Sequence, residues 1–257
     1  MTDEALHQVR LLGFAAALAA ALLLQWWSPH SRIRGSGRVN LTLWLINVVV
    51  LGALCGACVC TAADWATRND IGLLAAMRAP AWLAILVSLP ALDLVSYAWH
   101  RANHRLPALW RLHQVHHSDA AFTVSTSLRF HPGELLLSLP IRIAAVTALG
   151  APVAAVVVFE IVFTFANAIE HGDIDLPASV EKRASAWLVT PALHRWHHVA
   201  AVPECDSNFG TIFAVWDRLF GTYAASDSRR HVSTGLPGLG VIGAGTALML
   251  PARRISR

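Results

Sequence analysis

The chain has 257 residues, of which 55% are hydrophobic and only 14% charged. One ordinary core cannot bury that much apolar side chain, so composition excludes a simple soluble domain and points to a bilayer as the solvent for much of the molecule. A net charge of +4, with one lysine (Lys182) among 20 basic residues and no basic tract interleaved with aromatics, argues against nucleic acid as a partner.

In chain order, the first charge-free run is Leu11–Trp27, which ends in an aromatic pair suited to the headgroup boundary. It has no early basic region and no small-residue cleavage pattern, so it is expected to be a retained span and not a cleaved signal. Val39–Ala63 is the longest clean run and is read as the second span. Its Cys55, Cys58 and Cys60 read as small packing residues of a membrane helix, not as a redox or zinc motif. Ala79–Trp99 is the third span, interrupted only by Asp93 and with Pro90 inside it. Leu135–Ile169 is too long for one crossing, and Gly150-Ala151-Pro152 divides it into a helical hairpin. The tail Val232–Ala252 is apolar but holds five glycines, and is expected to lie at the interface. Three regions follow: N-terminal spans over 1–78, a catalytic region over 79–225 and an interfacial tail over 226–257.

Arginine placement sets the expected orientation. Arg32, Arg34 and Arg38 put the first loop inside, so Asp64–Arg78 lies outside. Trp99–Pro132, with Arg101, Arg105, Arg111 and Arg129, returns to the inside, as does Glu170–Tyr223 after the hairpin. The expected fold is an all-α polytopic membrane protein of about four to five transmembrane helices, the last two a hairpin, beneath a cytoplasmic helical cap.

Both inside regions are rich in histidine. The groups are His100-x3-His104, His113-x2-His116-His117 and His194-x2-His197-His198, with His131 and His171 single. Spacings of three and four place imidazoles on one helix face, where they can be presented jointly to a metal. Imidazole suits Fe, Zn, Cu and Ni, but a catalytic zinc takes three protein ligands, so nine or ten histidines are most simply used by two metals. His131 precedes Pro132-Gly133, a haem-type turn without the rest of a haem domain, and is read as a ligand or as a neighbour of ligands. His7, His30 and His231 stand outside these groups and are read as solvent or interface residues. Asp93, Tyr97, His100 and His104 form one helical stripe, and Glu160, Thr164, Asn167 and His171 repeat its offsets. The two intramembrane acids are therefore expected to support the histidines through Tyr97 and Thr164, with Asn167 beside them.

The run Asp93…Tyr97…His100-Arg101…His104, Leu109-Trp110-Arg111…His113…His116-His117-Ser118, Thr126…Arg129-Phe130-His131-Pro132…Glu134 resembles the fatty acid hydroxylase/sterol desaturase superfamily. Pro191…His194-Arg195-Trp196-His197-His198, Asn208-Phe209-Gly210 and Trp216–Tyr223 resemble it as well. The resemblance covers roughly residues 85–225. It implies two non-haem irons, O2 as co-substrate, and hydroxylation or desaturation of a lipid. It also implies His100, His104, His113, His116, His117, His171, His194, His197 and His198 as ligands. Asn167 stands where some fatty acyl hydroxylases carry a further histidine, and Thr123 where many sterol-type members carry asparagine, so the lipid subgroup stays open. No cytochrome b5 or reductase segment occurs in these residues, and a separate donor (cytochrome b5-like, ferredoxin or reductase) is expected. The expected location is the inner or plasma membrane of a bacterium, with the site facing the cytoplasm. The alternatives are a zinc hydrolase, which lacks its H-E-x-x-H here, and a histidine-rich metal transporter.

Overall fold

The computed structural model describes residues 3–31, 36–55, 58–200, 206–225 and 232–253. His7's side chain, Arg32, Arg34, Cys205 and His231 lie outside the described residues. The fold is all-helical, and among the described residues the only β pairing is three isolated bridges.

Five helices are long and apolar enough to cross a membrane: α1 (Asp3–Trp27, apolar from Gln8), α2 (Gly37–Leu54), α5 (Ala81–Arg105), α7 (Pro132–Leu149) and α8 (Val153–Glu170). The sequence punctuates them as expected. Pro132 opens α7 behind His131, whose Nδ1 accepts from Gly133 N and so caps the helix. Gly150 closes α7 in the left-handed region at φ 69°. The hairpin bend is tight because Gly72 packs on it, where an added Cβ would stand 2.2 Å from Gly150 N. α5 continues through Pro90 without breaking.

The expected single run Val39–Ala63 is instead two helices. α2 stops at Leu54 and α3 spans Cys58–Arg68, followed by the short α4 (Leu73–Ala76). α3 buries Val59, Ala63 and Ala66 at helical spacing against α7 and α8, and pairs Asp64 with Arg68 on its outer face. A run without charges sets the length of apolar sequence, not the length of a helix.

The cap gathers at the end of the bundle where α5 stops, α7 starts and α8 stops. It comprises α6 (Pro107–His117), a 3-10 turn (Val124–Leu128), α9 (Ala178–Ala184), α10 (Pro191–His197) and α11 (Val215–Leu219). The tail folds back as α12 (Ala244–Met249), and Leu236, Ala247 and Leu250 pack with Leu43 of α2 and with Trp110 and Val115 of α6.

Candidate metal centre

Nine histidines converge in the cap from four places: His100 and His104 on the last turns of α5, three on α6, His171 just past α8, and three at α10. Their ligand atoms form two groups, each within 4.8 Å: His100, His104, His113, His117 and His197, and separately His116, His171, His194 and His198. All but His100 are buried.

Hydrogen bonds on the outer ring nitrogens fix which way the lone pairs point. Nδ1 donates to a backbone carbonyl in His100 (Phe209 O, 2.9 Å), His116 (Arg129 O, 3.2 Å), His171 (Asn167 O, 2.7 Å) and His197 (Ser207 O, 2.6 Å). A carbonyl only accepts, so each of these rings carries its hydrogen on Nδ1 and a bare lone pair on Nε2. His116 Nε2 and His171 Nε2 then face each other at 2.9 Å, and His194 Nε2 stands 3.0 Å from His171 Nε2. Two lone pairs at that distance repel unless a cation lies between them. Nitrogens about 2.1 Å from a shared ion and at right angles to one another stand roughly 3 Å apart, so the spacing fits a metal. The Nε2 atoms of His100, His113, His197 and His198 are buried without a hydrogen-bond partner, which fits the same use.

Burial first, and neighbouring imidazoles next, push the basicity of His116, His117, His194 and His198 well below the usual histidine value. His171 and His197 are pushed down to about 3, chiefly by burial. The rings are held neutral, as ligation requires. Aromatic side chains close the shell: Phe130 stacks on His116, Phe209 meets His100, His104 and His197, and Trp110 meets His104 and His117. Phe122 covers His171 and His198, and beyond it opens a cavity of about 310 Å³ lined by His30, Asp173, Arg195 and residues 232–234.

Two acids stand behind the rings that sequence patterning did not single out. Glu134 Oε1 accepts from His113 Nδ1 (2.9 Å) and from Asn103 Nδ2 (3.0 Å). Glu170, also buried, faces His194 Nδ1 at 3.7 Å and His171 Nδ1 at 3.8 Å. The signal lay in plain view, since Glu170 directly precedes His171 and Glu134 opens α7. Arg129 is buried too and ties the centre to α2, donating to Val115 O, Ser118 Oγ and Asn40 Oδ1.

The acids expected to support the histidines lie elsewhere. Asp93 accepts from Ile212 N and Phe213 N (3.1 Å each) and from Trp216 Nε1 (2.8 Å). Glu160 pairs with Arg10 (2.7 Å) and Arg142 (2.8 Å), tying α1, α7 and α8 together. Thr164 bonds back to Glu160 O, so no relay runs up that stripe. Tyr97 reaches the centre indirectly. Thr222 donates its hydroxyl hydrogen to Asp217, so Tyr97 OH donates to Thr222 (2.8 Å), and Asp217 holds the Phe209 and Gly210 amides behind His100. Asn167 contributes its carbonyl to His171, while its side chain donates to Ser127 O. His131 stands outside both groups, with Nδ1 on Gly133 N and Nε2 3.3 Å from Leu248 O. His30 is likewise outside, 3.9 Å from Asp175.

The chain is similar to proteins named as lipid hydroxylases and monooxygenases. An ornithine lipid hydroxylase of Rhizobium tropici is 28% identical over 62% of this chain and 47% of its own length. An alkylglycerol monooxygenase of Danio rerio is 32% identical over 58% of this chain and 31% of its own. A cholesterol 25-hydroxylase of Rattus norvegicus is 26% identical over 59% of this chain and 50% of its own. The matched region thus spans half or less of each of these relatives. No solved structure matches. The sequence profile described as Fatty acid hydroxylase matches residues 85–222, which hold all nine clustered histidines and more than half of the chain. The chain belongs to the fatty acid hydroxylase family, an assignment its five apolar helices complete as that of an integral membrane protein.

Proposed function

We propose that the chain is a membrane-bound oxidoreductase that hydroxylates or desaturates a lipid, with two non-haem irons held by the nine clustered histidines, O2 as co-substrate and electrons from a separate donor. The observation that carries this reading is the inward-facing Nε2 lone pairs of His116 and His171 at 2.9 Å, in one of two adjoining imidazole groups. His100, His104, His113, His117 and His197 would hold one iron, and His116, His171, His194 and His198 the other. Bound iron would supply the binding and reduction of O2 that an unactivated C–H bond requires.

The chain's own residues do the rest. The backbone carbonyls of Phe209, Arg129, Asn167 and Ser207 hold four rings in the tautomer that points Nε2 inward. Glu134 does the same for His113 by accepting its Nδ1 hydrogen on a carboxyl oxygen, which fixes the ring's orientation. Phe130, Phe209, Phe122 and Trp110 exclude water from the rings, which keeps side reactions with water away from the site. The positive-inside reading, with the centre facing the cytoplasm, puts it where a soluble donor reaches the cap and a lipid reaches the bundle.

Protein produced with iron and kept from chelators is expected to hold about two irons per chain. His116→Ala and His197→Ala should lower iron content and abolish O2- and reductant-dependent change in the lipids of cells carrying the protein, compared by mass spectrometry. Full turnover by a metal-free variant, or zinc as the only metal supporting function, would overturn the reading.

A further inference from the structure

The Asp93 contacts place part of the cap far below its other residues. Asp93 lies seven residues before His100 on α5, about 10.5 Å deeper along the helix, and about 12 Å below Arg101. Its carboxylate nevertheless accepts the amides of Ile212 and Phe213 and the indole of Trp216. Ile212 joins an apolar cluster with Leu92 of α5 and with Val156 and Phe159 of α8, inside the spanning part of the bundle. A second strand of chain runs beside it at the same level. Val189 N donates to Ile212 O (3.1 Å), Ala214 N donates to Trp187 O (2.9 Å), and Leu188 bridges to Phe213. This is non-helical backbone at membrane depth, which a bilayer tolerates only when its polar groups are satisfied by protein. Asp93 meets that requirement for two amides.

The outward side of this segment is apolar. Trp187 is 70% exposed, Leu188 45%, Leu219 67% and Phe220 44%, although Leu188 is paired to a residue anchored at mid-α5. Arg218 of α11 donates to Ser185 O (3.0 Å), so the two stretches lie side by side, and soluble surfaces rarely leave so much apolar side chain open. Phe220 is also stacked on Tyr97 of α5 (5.4 Å), so the patch is continuous with a spanning helix. Lys182 and Arg183 on α9 are exposed just before this stretch, and Arg218 on α11 is exposed beside Leu219 with its guanidinium over the Tyr223 ring (3.7 Å), as cations gather at a headgroup boundary.

We propose that residues 185–190 and 209–220 form a re-entrant wedge seated in the lipid leaflet on the centre's side. Trp187, Leu188, Leu219 and Phe220 contact acyl chains, and Lys182, Arg183 and Arg218 meet anionic lipid phosphates. The inference rests on the spanning helices and not on the proposed reaction. Its consequence for the centre is geometric: Phe220, Tyr97 and Phe209 make a continuous aromatic path from the bilayer to His100.

The test is photo-crosslinking in nanodiscs of phosphatidylcholine with a minor share of phosphatidylglycerol. p-Benzoylphenylalanine is placed singly at 187 and at 219, with 188 as a replacement site should either fail to fold. Position 86, exposed in the second turn of α5, is the lipid-facing reference, and position 111, exposed on α6, the aqueous one. Lipid adducts at 187 and 219 are expected to match position 86 and to exceed position 111 clearly. Adducts no more abundant than at 111, or crosslinks chiefly to a second copy of the chain, would overturn the wedge. The paired change Lys182→Gln and Arg183→Gln should remove any enrichment of phosphatidylglycerol among the adducts at 187. Unchanged enrichment would overturn the headgroup assignment.

Discussion

Glu134 receives two buried donors on one carboxylate oxygen, the ring of His113 and the amide of Asn103. Removing the carboxylate orphans both and frees the His113 ring to turn. Loss of a partner behind a ligand typically costs about 10–100-fold in metal affinity or activity. Glu134→Ala is therefore expected to weaken iron binding by about that factor, and Glu134→Gln, which keeps an acceptor, to recover much of it. Glu170→Ala should weaken iron through His194 and His171 in the same way. Glu160→Gln should leave iron affinity unchanged, because its carboxylate serves Arg10 and Arg142. Metal titrations of the four variants decide this, and iron affinity equal to that of the unaltered chain in both Glu134→Ala and Glu170→Ala would refute it.

Asp93 acts on an element, not on an imidazole: it pins the wedge to α5 with three hydrogen bonds. Each buried donor left without a partner costs about 1–3 kcal/mol, so Asp93→Ala is expected to lower stability by about 3 kcal/mol or more. Thermal unfolding in detergent measures it, and a melting temperature equal to that of the unaltered chain would show that the pin is idle. The same residue marks how far the sequence could be read. The spans were legible because bilayer thickness dictates apolar length, and the hairpin because Gly150 and Pro152 are strong punctuation. Periodicity assigns each of the stripes Asp93–His104 and Glu160–His171 to one face, but it does not say which neighbour that face meets. The partners of Asp93 come from 119 to 123 residues away, and those of Glu160 from α1 and α7. No local pattern encodes such distances. The split of the second run at Leu54 escaped for a related reason, since no charge marks the break and α3 is placed by its packing on α7 and α8.

At the scale of the whole molecule, the centre exists only when α5, α6, the end of α8 and α10 are all in place, so ligation and folding are one equilibrium. Six buried histidines outside the spans (His116, His117, His171, His194, His197 and His198) have their proton affinity lowered in the fold, His171 and His197 to about 3. In the unfolded chain each titrates near 6.5. Above about pH 6.5 both states leave these rings neutral, and their burial carries no pH penalty. As pH falls from about 6.5 toward 3, the unfolded chain takes up protons that the folded chain refuses, so stability drops throughout that window. Each ring adds about 1.4 kcal/mol per pH unit once its unfolded counterpart is fully protonated, and six together make the fall steep. Iron, which binds the folded chain, should raise the melting temperature near neutral pH and be released as acid competes for the same lone pairs. Melting temperatures of the chelated and iron-loaded protein between pH 8 and 5 provide the check. The chelated protein is expected to be level at the alkaline end and to fall sharply below about pH 6, with the loaded protein higher throughout and converging at the acid end. A chelated protein whose melting temperature stays level down to pH 5 would mean that the imidazoles are protonated or solvated in the fold, and that the cage is not the neutral one described.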